Sequence, residues 1–365
     1  MRTTNLTNSV VSYPDALSFA FKPLLVKAED IPTPTKHVSK LVATLTYSGK
    51  TYTATYFAHN GVVYADISAF VQAYFNPSTF VVDYSQAVSV SNTFIDGVSL
   101  VVAVTYDDAT TETTSALAFG CVWGAEDYGG VDDFWAMRDI RWWTHFPFTL
   151  GVYIDQNGVA YFSDGTSENI SKGISNVQPP SGAGDLLNAY TIEGGIIQST
   201  FDQTFDITFQ NGGGTQLGVA RLHVDNQTDE GIYLRWVDRH GFFAYWLFDD
   251  KMYQRTTENI KPFERTDYGL YSDAFGFSNG AGIRQNIRRG DVMPVCAPLV
   301  NSLTYDYLQD ITTSPLVDMY CGLDANNNPQ WMSVGVQVGT WEKSDEELQD
   351  FVINIIKPYT PTQSL

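Results

Sequence analysis

The sequence predicts a mostly β protein, built as two or three β-sandwich-like domains with few short helices, and three observations point there. Aromatic residues reach 14% and glycines number 29, while charged residues stop at 17%, below the roughly 25% of ordinary globular domains. Short segments alternate apolar and polar residues, which is the period of a half-buried strand. Turn dipeptides such as Asn-Gly and Ser-Gly separate them. At roughly 100–200 residues per domain, the 365 residues divide into an N-terminal β domain (1–120), a middle β domain (121–225) and a C-terminal β-rich domain (226–365). Each is long enough to bury its own core without a disulfide or metal staple.

LVATLTYSGKTYTATYF (41–57) alternates on both sides of Ser48-Gly49 and predicts two strands joined by a tight turn. His59-Asn60-Gly61 is a second turn, leading into Val62, Val63 and Tyr64. ADISAFVQAYFNP (65–77) predicts a helix. Asp66 suits the N-cap, Ile67, Phe70, Val71, Tyr74 and Phe75 line one face, and Pro77 ends it. GVYIDQNGVAYF (151–162) predicts a hairpin turning at Asn157-Gly158, whose residue types accept φ > 0.

NVQPPSGAG (176–184) has linker composition, and NGGGTQLG (211–218) is a hairpin tip between the strands DITF (206–209) and LGVARLHV (217–224). YLRWVDRHGFFAYWLF (233–248) is a hairpin apolar at nearly every position, so both its faces should be covered. LTYDYLQDI (303–311) predicts a short helix and MSVGVQVGTW (332–341) a strand. Ser344 and Glu347 have capping-box spacing, but the β-branched QDFVINIIKP (349–358) reads better as a last strand.

Charge excludes some partners. With 21 basic and 41 acidic residues the net is -20, a field that repels phosphate backbones and anionic bilayers and favours solubility. No nucleic-acid partner and no membrane insertion are expected, since no apolar run reaches the length that spans a bilayer. The segment MRTTNLTNSVVSYPD lacks the apolar core of a secretory leader. Cys121, Cys296 and Cys321 show no Cys-x-x-Cys spacing and read as buried thiols of a chain folded in a reducing cytoplasm.

No catalytic residue is assigned, and no cofactor or metal is expected. The five histidines form no H-E-x-x-H pattern, and no G-x-S-x-G elbow occurs. Gly49-Lys50-Thr51 ends like a phosphate-binding loop, but Thr44 stands where that loop needs glycine. Asp155-Gln156-Asn157-Gly158 and Asp324–Asn328 are rich in oxygen ligands. Neither carries the distal glutamate of a calcium loop, and such residues make turns by themselves.

One segment stands out as a candidate binding element. FWAMRDIRWWTHFPF (134–148) gathers Trp135, Trp142, Trp143 and Phe146 around Arg138 and Arg141. These rings suit a core, a subunit contact where Trp and Arg concentrate binding energy, or a platform stacking on sugar rings. Arg288 and Arg289, in GIRQNIRRGD (282–291), form a basic patch suited to a neighbouring subunit's carboxylates.

VSYPDALSFAF (11–21), GVVYADISAFVQAYF (61–75), FGCVWGAEDYGG (119–130), RDIRWWTHFPFTL (138–150), YLRWVDRHGFFAYWLF (233–248) and LQDFVINIIKP (348–358) together resemble a group of tail or virion structural proteins. Phages and prophages of gut Bacteroidetes encode that group. The resemblance implies a non-enzymatic subunit of the phage tail, tail tip or adsorption apparatus, made in the bacterial cytoplasm and located in the virion. It would form a homo-oligomer and bind other virion proteins. A glycan-binding adhesin, with host surface glycan as partner, is the alternative, and a glycoside hydrolase the third.

Overall fold

The structure is a computed structural model. It describes residues 1–125, 138–180, 203–225, 231–250, 254–263, 271–272, 276–277, 283–337, 339 and 343–358; for Arg138, Gln203 and the strands between 254 and 291 it describes the backbone alone. The fold is mostly β with few short helices, as composition and alternation predict. Two compact units divide the chain: residues 1–227 with 237–244, and residues 228–236 with 245–365.

In the first unit, Arg2–Asn5, Ser9–Tyr13, Leu25–Asp30 and Val62–Asp66 make a four-stranded sheet in that order. It packs on a six-stranded sheet ordered Leu17–Phe19, Leu117–Val122, Phe94–Tyr106, Val38–Tyr47 and Lys50–Phe57, with Thr111–Thr113 added beside Phe94–Tyr106. Alternation builds this core directly. Leu41, Ala43 and Leu45 are fully buried, and so are Leu100, Val102 and Val104 of the neighbouring strand. Both turns predicted before residue 65 form, with Ser48 and Gly49 at φ 47° and 78° and Asn60 and Gly61 at 51° and 75°.

The predicted helix shrinks to Ser68–Gln72. Its apolar stripe holds: Ile67, Val71, Tyr74 and Phe75 are buried. Ile67 takes the N-cap position because Asp66 is still the last residue of a strand. The Asp66 carboxylate nevertheless accepts the Ser68 N–H at 2.9 Å and the Leu24 N–H at 3.1 Å.

Two more sheets lie in this unit among the described residues. One is five-stranded, ordered Arg138–Trp143, Gln216–Asp225, Gln203–Asn211, Gly158–Phe162 and Ser167–Ile170. The other is three-stranded, ordered Leu150–Ile154, Gly173–Val177 and Val88–Val90. Here the hairpin predicted at Asn157-Gly158 is corrected. Leu150–Ile154 pairs with Gly173–Val177, whereas Gly158–Phe162 pairs with Ser167–Ile170. The two arms form one long hairpin, bent where it passes from one sheet to the other.

Neither Asn157 nor Gly158 has a positive φ. A Cβ on Gly158 would lie 2.3 Å from the Gln210 carbonyl oxygen, so glycine is there for backbone approach rather than for a turn. The Asn157 side chain accepts the Lys172 N–H at 2.9 Å and ties the arms together at the bend. The reversal is at Asp164-Gly165. There the Phe162 N–H meets the Thr166 carbonyl at 2.9 Å and Gly165 takes φ 89°.

That three-residue turn recurs between Tyr106 and Thr110, Asn211 and Thr215, Asp238 and Phe242, and Asp324 and Asn328. In each, an Asp or Asn side chain accepts the N–H two residues on. Each also places a positive φ at its third loop position, Ala109, Gly165, Gly214, Gly241 or Asn327.

The sheet of the second unit is ordered Pro329–Ser333, Val317–Leu323, Ile232–Val237, Phe243–Asp250, Ile283–Val300, Gln349–Ile356 and Gly335–Val336, with Gln254–Phe263 also on Ile283–Val300. The hairpin over 233–248 forms with nearly every residue buried. The late helix spans Ser302–Gln309, its N-terminus held by the Asn301 side chain on the Thr304 N–H at 2.9 Å. The last strand is Gln349–Ile356, as β-branching predicts. Ser344 caps no helix; it accepts the Glu346 N–H in a turn. The strand predicted over 332–341 is broken into Pro329–Ser333 and Gly335–Val336, and 338 and 340–342 lie outside the described residues.

Candidate binding surface

Arg138–Trp143 is an edge strand running parallel to Gln216–Asp225, and alternation sends Trp142 and Trp143 to opposite faces. Both indoles are buried, 7% and 3% exposed. The Trp142 ring centroid lies 6.2 Å from those of Phe148 and Phe205, and Phe205 continues to Phe162 at 6.2 Å. Arg141 donates from Nε and Nη2 to Asp225 Oδ2 at 3.0 and 2.6 Å, with its guanidinium carbon 5.3 Å from the Trp143 ring centroid. Phe146 is half-buried and its N–H meets the Trp143 carbonyl at 3.1 Å. Trp135 lies outside the described residues, and Arg138 is placed only by its pairing with Ala220. The described rings are thus packed into protein, with neither indole face open to a flat ligand.

Arg288 and Arg289 sit in Ile283–Val300 opposite Glu258 and Thr257 of Gln254–Phe263; their side chains lie outside the described residues. The register sets a carboxylate-bearing residue of the same chain directly across from Arg288.

A constellation the sequence did not single out lies in the second unit. Arg235 and Asp318 are both buried, with Arg235 Nε donating to Asp318 Oδ2 at 3.0 Å. The guanidinium carbon is 4.2 Å from the Trp331 ring centroid. Tyr233, Tyr245 and Tyr320 surround that indole with centroids 5.5–6.4 Å away. One sign was legible: an arginine inside the apolar strand Ile232–Val237 must find a counter-charge. The partner, 83 residues further along the chain, was not.

Among the described residues no group of three or more His, Cys, Asp or Glu is placed to hold a metal ion. The Asp324 carboxylate is taken up by its own turn, accepting the N–H groups of Asn328 and Asn326 at 2.8 and 2.7 Å. Those donors hold its carboxyl below the usual aspartate range.

The outward face of the six-stranded sheet has a different character. Thr44 and Thr53, Thr46 and Thr51, and Thr105 and Thr111 stand side by side with hydroxyl oxygens 3.3, 3.2 and 3.1 Å apart. Register places Val42, Val101 and Ala103 among them and Phe57, 77% exposed, at the rim. Lys40 is the one charged residue among the outward positions of Val38–Tyr47, Lys50–Phe57 and the 99–105 stretch. This nearly uncharged face, its hydroxyls paired side by side, shares the depletion of charged residues found at the centres of protein interfaces.

No protein-family model and no curated protein matches the chain. Among solved structures, the full extracellular region of Plexin A4 (domains 1 to 8) aligns at a TM-score of 0.18 and 8% identity, over 97% of this chain and 40% of that one. A similarity that low carries no argument about fold or function. No helix among the described residues is long and apolar enough to cross a membrane.

Proposed function

We propose that the chain is a structural subunit of a phage particle, belonging to its tail, tail tip or adsorption apparatus, and that it acts by self-assembly and by binding other virion proteins without catalysing a reaction. The observation that carries this is the hydroxyl-lined outward sheet face with exposed Phe57 on a chain of net charge -20. Charged residues are depleted at the centres of protein interfaces, and Lys40 is the one charge among the outward positions named above. The segments quoted above that resemble virion proteins support the same assignment.

The glycan-adhesin alternative drew on Trp142 and Trp143. The burial of these two takes away two of the segment's indole faces, while Trp135 of the same segment lies outside the described residues. Deletion of the gene from a phage that encodes the chain tests the proposal. Electron microscopy should find tails missing or truncated, with normal tails restored when the chain is supplied in trans. Normal, infectious particles from the deletion would overturn it.

A further inference from the structure

We propose that the strand Lys50–Phe57 pairs antiparallel with the same strand of a second copy of this chain, joining two six-stranded sheets across a two-fold axis at Ala54. This names the self-contact that the particle assignment calls for, and it rests on that assignment for its biological role. The contact itself stands on strand geometry.

Lys50–Phe57 is the sheet's terminal strand, eight residues long. The two-residue turn at Ser48-Gly49 fixes which backbone groups are used. Lys50, Tyr52, Ala54 and Tyr56 bond to Val38–Tyr47, and the Ala58 N–H continues that alternation onto the Ser39 carbonyl at 2.9 Å. Thr51, Thr53, Thr55 and Phe57 therefore direct N–H and C=O to the free edge. Proteins guard such edges with proline, bulges or inward-pointing charge. This strand has no proline and no bulge, and its one charge, Lys50, stands at the turn.

Two features select a second copy as the occupant. The stretch Tyr52-Thr53-Ala54-Thr55-Tyr56 reads the same in both directions. Centred on Ala54, a two-fold pairing sets Thr53 opposite Thr55 and Tyr52 opposite Tyr56, as an isologous contact requires. In that register the edge-facing residues Thr53 and Thr55 become the hydrogen-bonded pairs. The threonine row seen between Thr46 and Thr51 and between Thr44 and Thr53 then continues across the axis.

The second feature is charge. The chain carries 41 acidic residues, yet none falls between Asp30 and Asp66. The free edge lies in that segment. Charges farther apart than about 8 Å are largely screened at physiological salt, and the paired strands bring no carboxylate of their own face to face; the acidic residue beside them is Asp66, whose backbone carbonyl accepts the Tyr56 hydroxyl at 3.1 Å.

Sedimentation of the full chain over a concentration series tests this. The native chain should form dimers. Thr53→Pro deletes an N–H that no partner among the described residues uses, so the fold should persist, as its circular dichroism will report, while association weakens at least about tenfold. Thr53→Glu with Thr55→Glu places like charges opposite each other and should also dissociate the dimer. Thr53→Glu with Thr55→Lys sets opposite charges across the axis in this register and should restore it.

A native chain that stays monomeric, or association unchanged in both disrupting variants, would overturn the pairing. The particle assignment fails separately. A monomeric chain that still enters particles overturns only the edge pairing, and a dimer absent from particles overturns only the assignment.

Discussion

Arg235 and Asp318 stand directly opposite each other in two antiparallel strands, each buried, with the guanidinium Nε 3.0 Å from the carboxylate. Removing one member of a buried pair is far more damaging than replacing both, because the remaining charge loses a hydrogen-bonded counter-charge that offset its desolvation. Asp318→Ala should destabilise the chain by about 3–5 kcal/mol. Arg235→Met with Asp318→Leu should recover most of that loss, since methionine keeps an apolar contact on Trp331. Urea denaturation of the single and double variants measures both; equal losses would contradict the pairing energetics.

The two glycines of the long bent hairpin should respond differently to substitution. Gly165 has φ 89° and open space where a Cβ would go. Alanine there meets only backbone strain, about 1–2 kcal/mol, and asparagine, which tolerates the left-handed region, should recover much of it. Gly158 has ordinary φ but a carbonyl oxygen 2.3 Å from its absent Cβ. Asparagine should therefore be no better than alanine there. Thermal midpoints of the four variants decide the matter, and rescue of position 158 by asparagine would contradict it.

Trp142→Ala should cost about 3–5 kcal/mol, the usual penalty for emptying a core aromatic site, because the indole is packed among Phe148 and Phe205. Arg141→Ala should cost less than about 1 kcal/mol, since half of that side chain is in water. Comparable losses at the two positions in denaturant titrations would show that the strand's burial has been misread.

Asp206 faces Arg221 with two parallel hydrogen bonds, Nε to Oδ1 at 2.9 Å and Nη2 to Oδ2 at 3.0 Å. These hold its carboxyl below the ordinary 3.8. A depressed folded pKa adds stability that is fully present above the unfolded value and is lost as pH falls through the folded one. The thermal midpoint should therefore be level from neutral pH down to about 5 and fall below about 4. Asp206→Asn should lower the midpoint at neutral pH and flatten the acid decline. An unchanged acid slope would count against the linkage.

Much of the fold was legible because period and turn chemistry are local. Alternation over 41–57 gave both strands, and Ser48-Gly49 gave their turn. The β-branched run before Lys357 gave the last strand. What failed was also physical. Asn157-Gly158 has turn-forming residue types, but Gly158 answers to the backbone of Gln210, 52 positions away by number, and no local window contains that contact. The helix predicted from Asp66 starts one residue late because the preceding strand keeps Asp66 in its ladder, and beyond Gln72 the stripe continues on tighter turns, with the Tyr74 and Phe75 N–H groups on the Val71 and Gln72 carbonyls. For the tryptophan segment, sequence left core, contact and platform open. Burial of Trp142 became visible only with Phe148 and, from Gln203–Asn211, Phe205 in place.

The most direct measurement is quantitative mass spectrometry of purified particles from a phage encoding the chain. A structural subunit should be present at a fixed copy number relative to the major capsid protein, reproducible between preparations. Absence from particles washed free of host lysate would contradict the assignment outright.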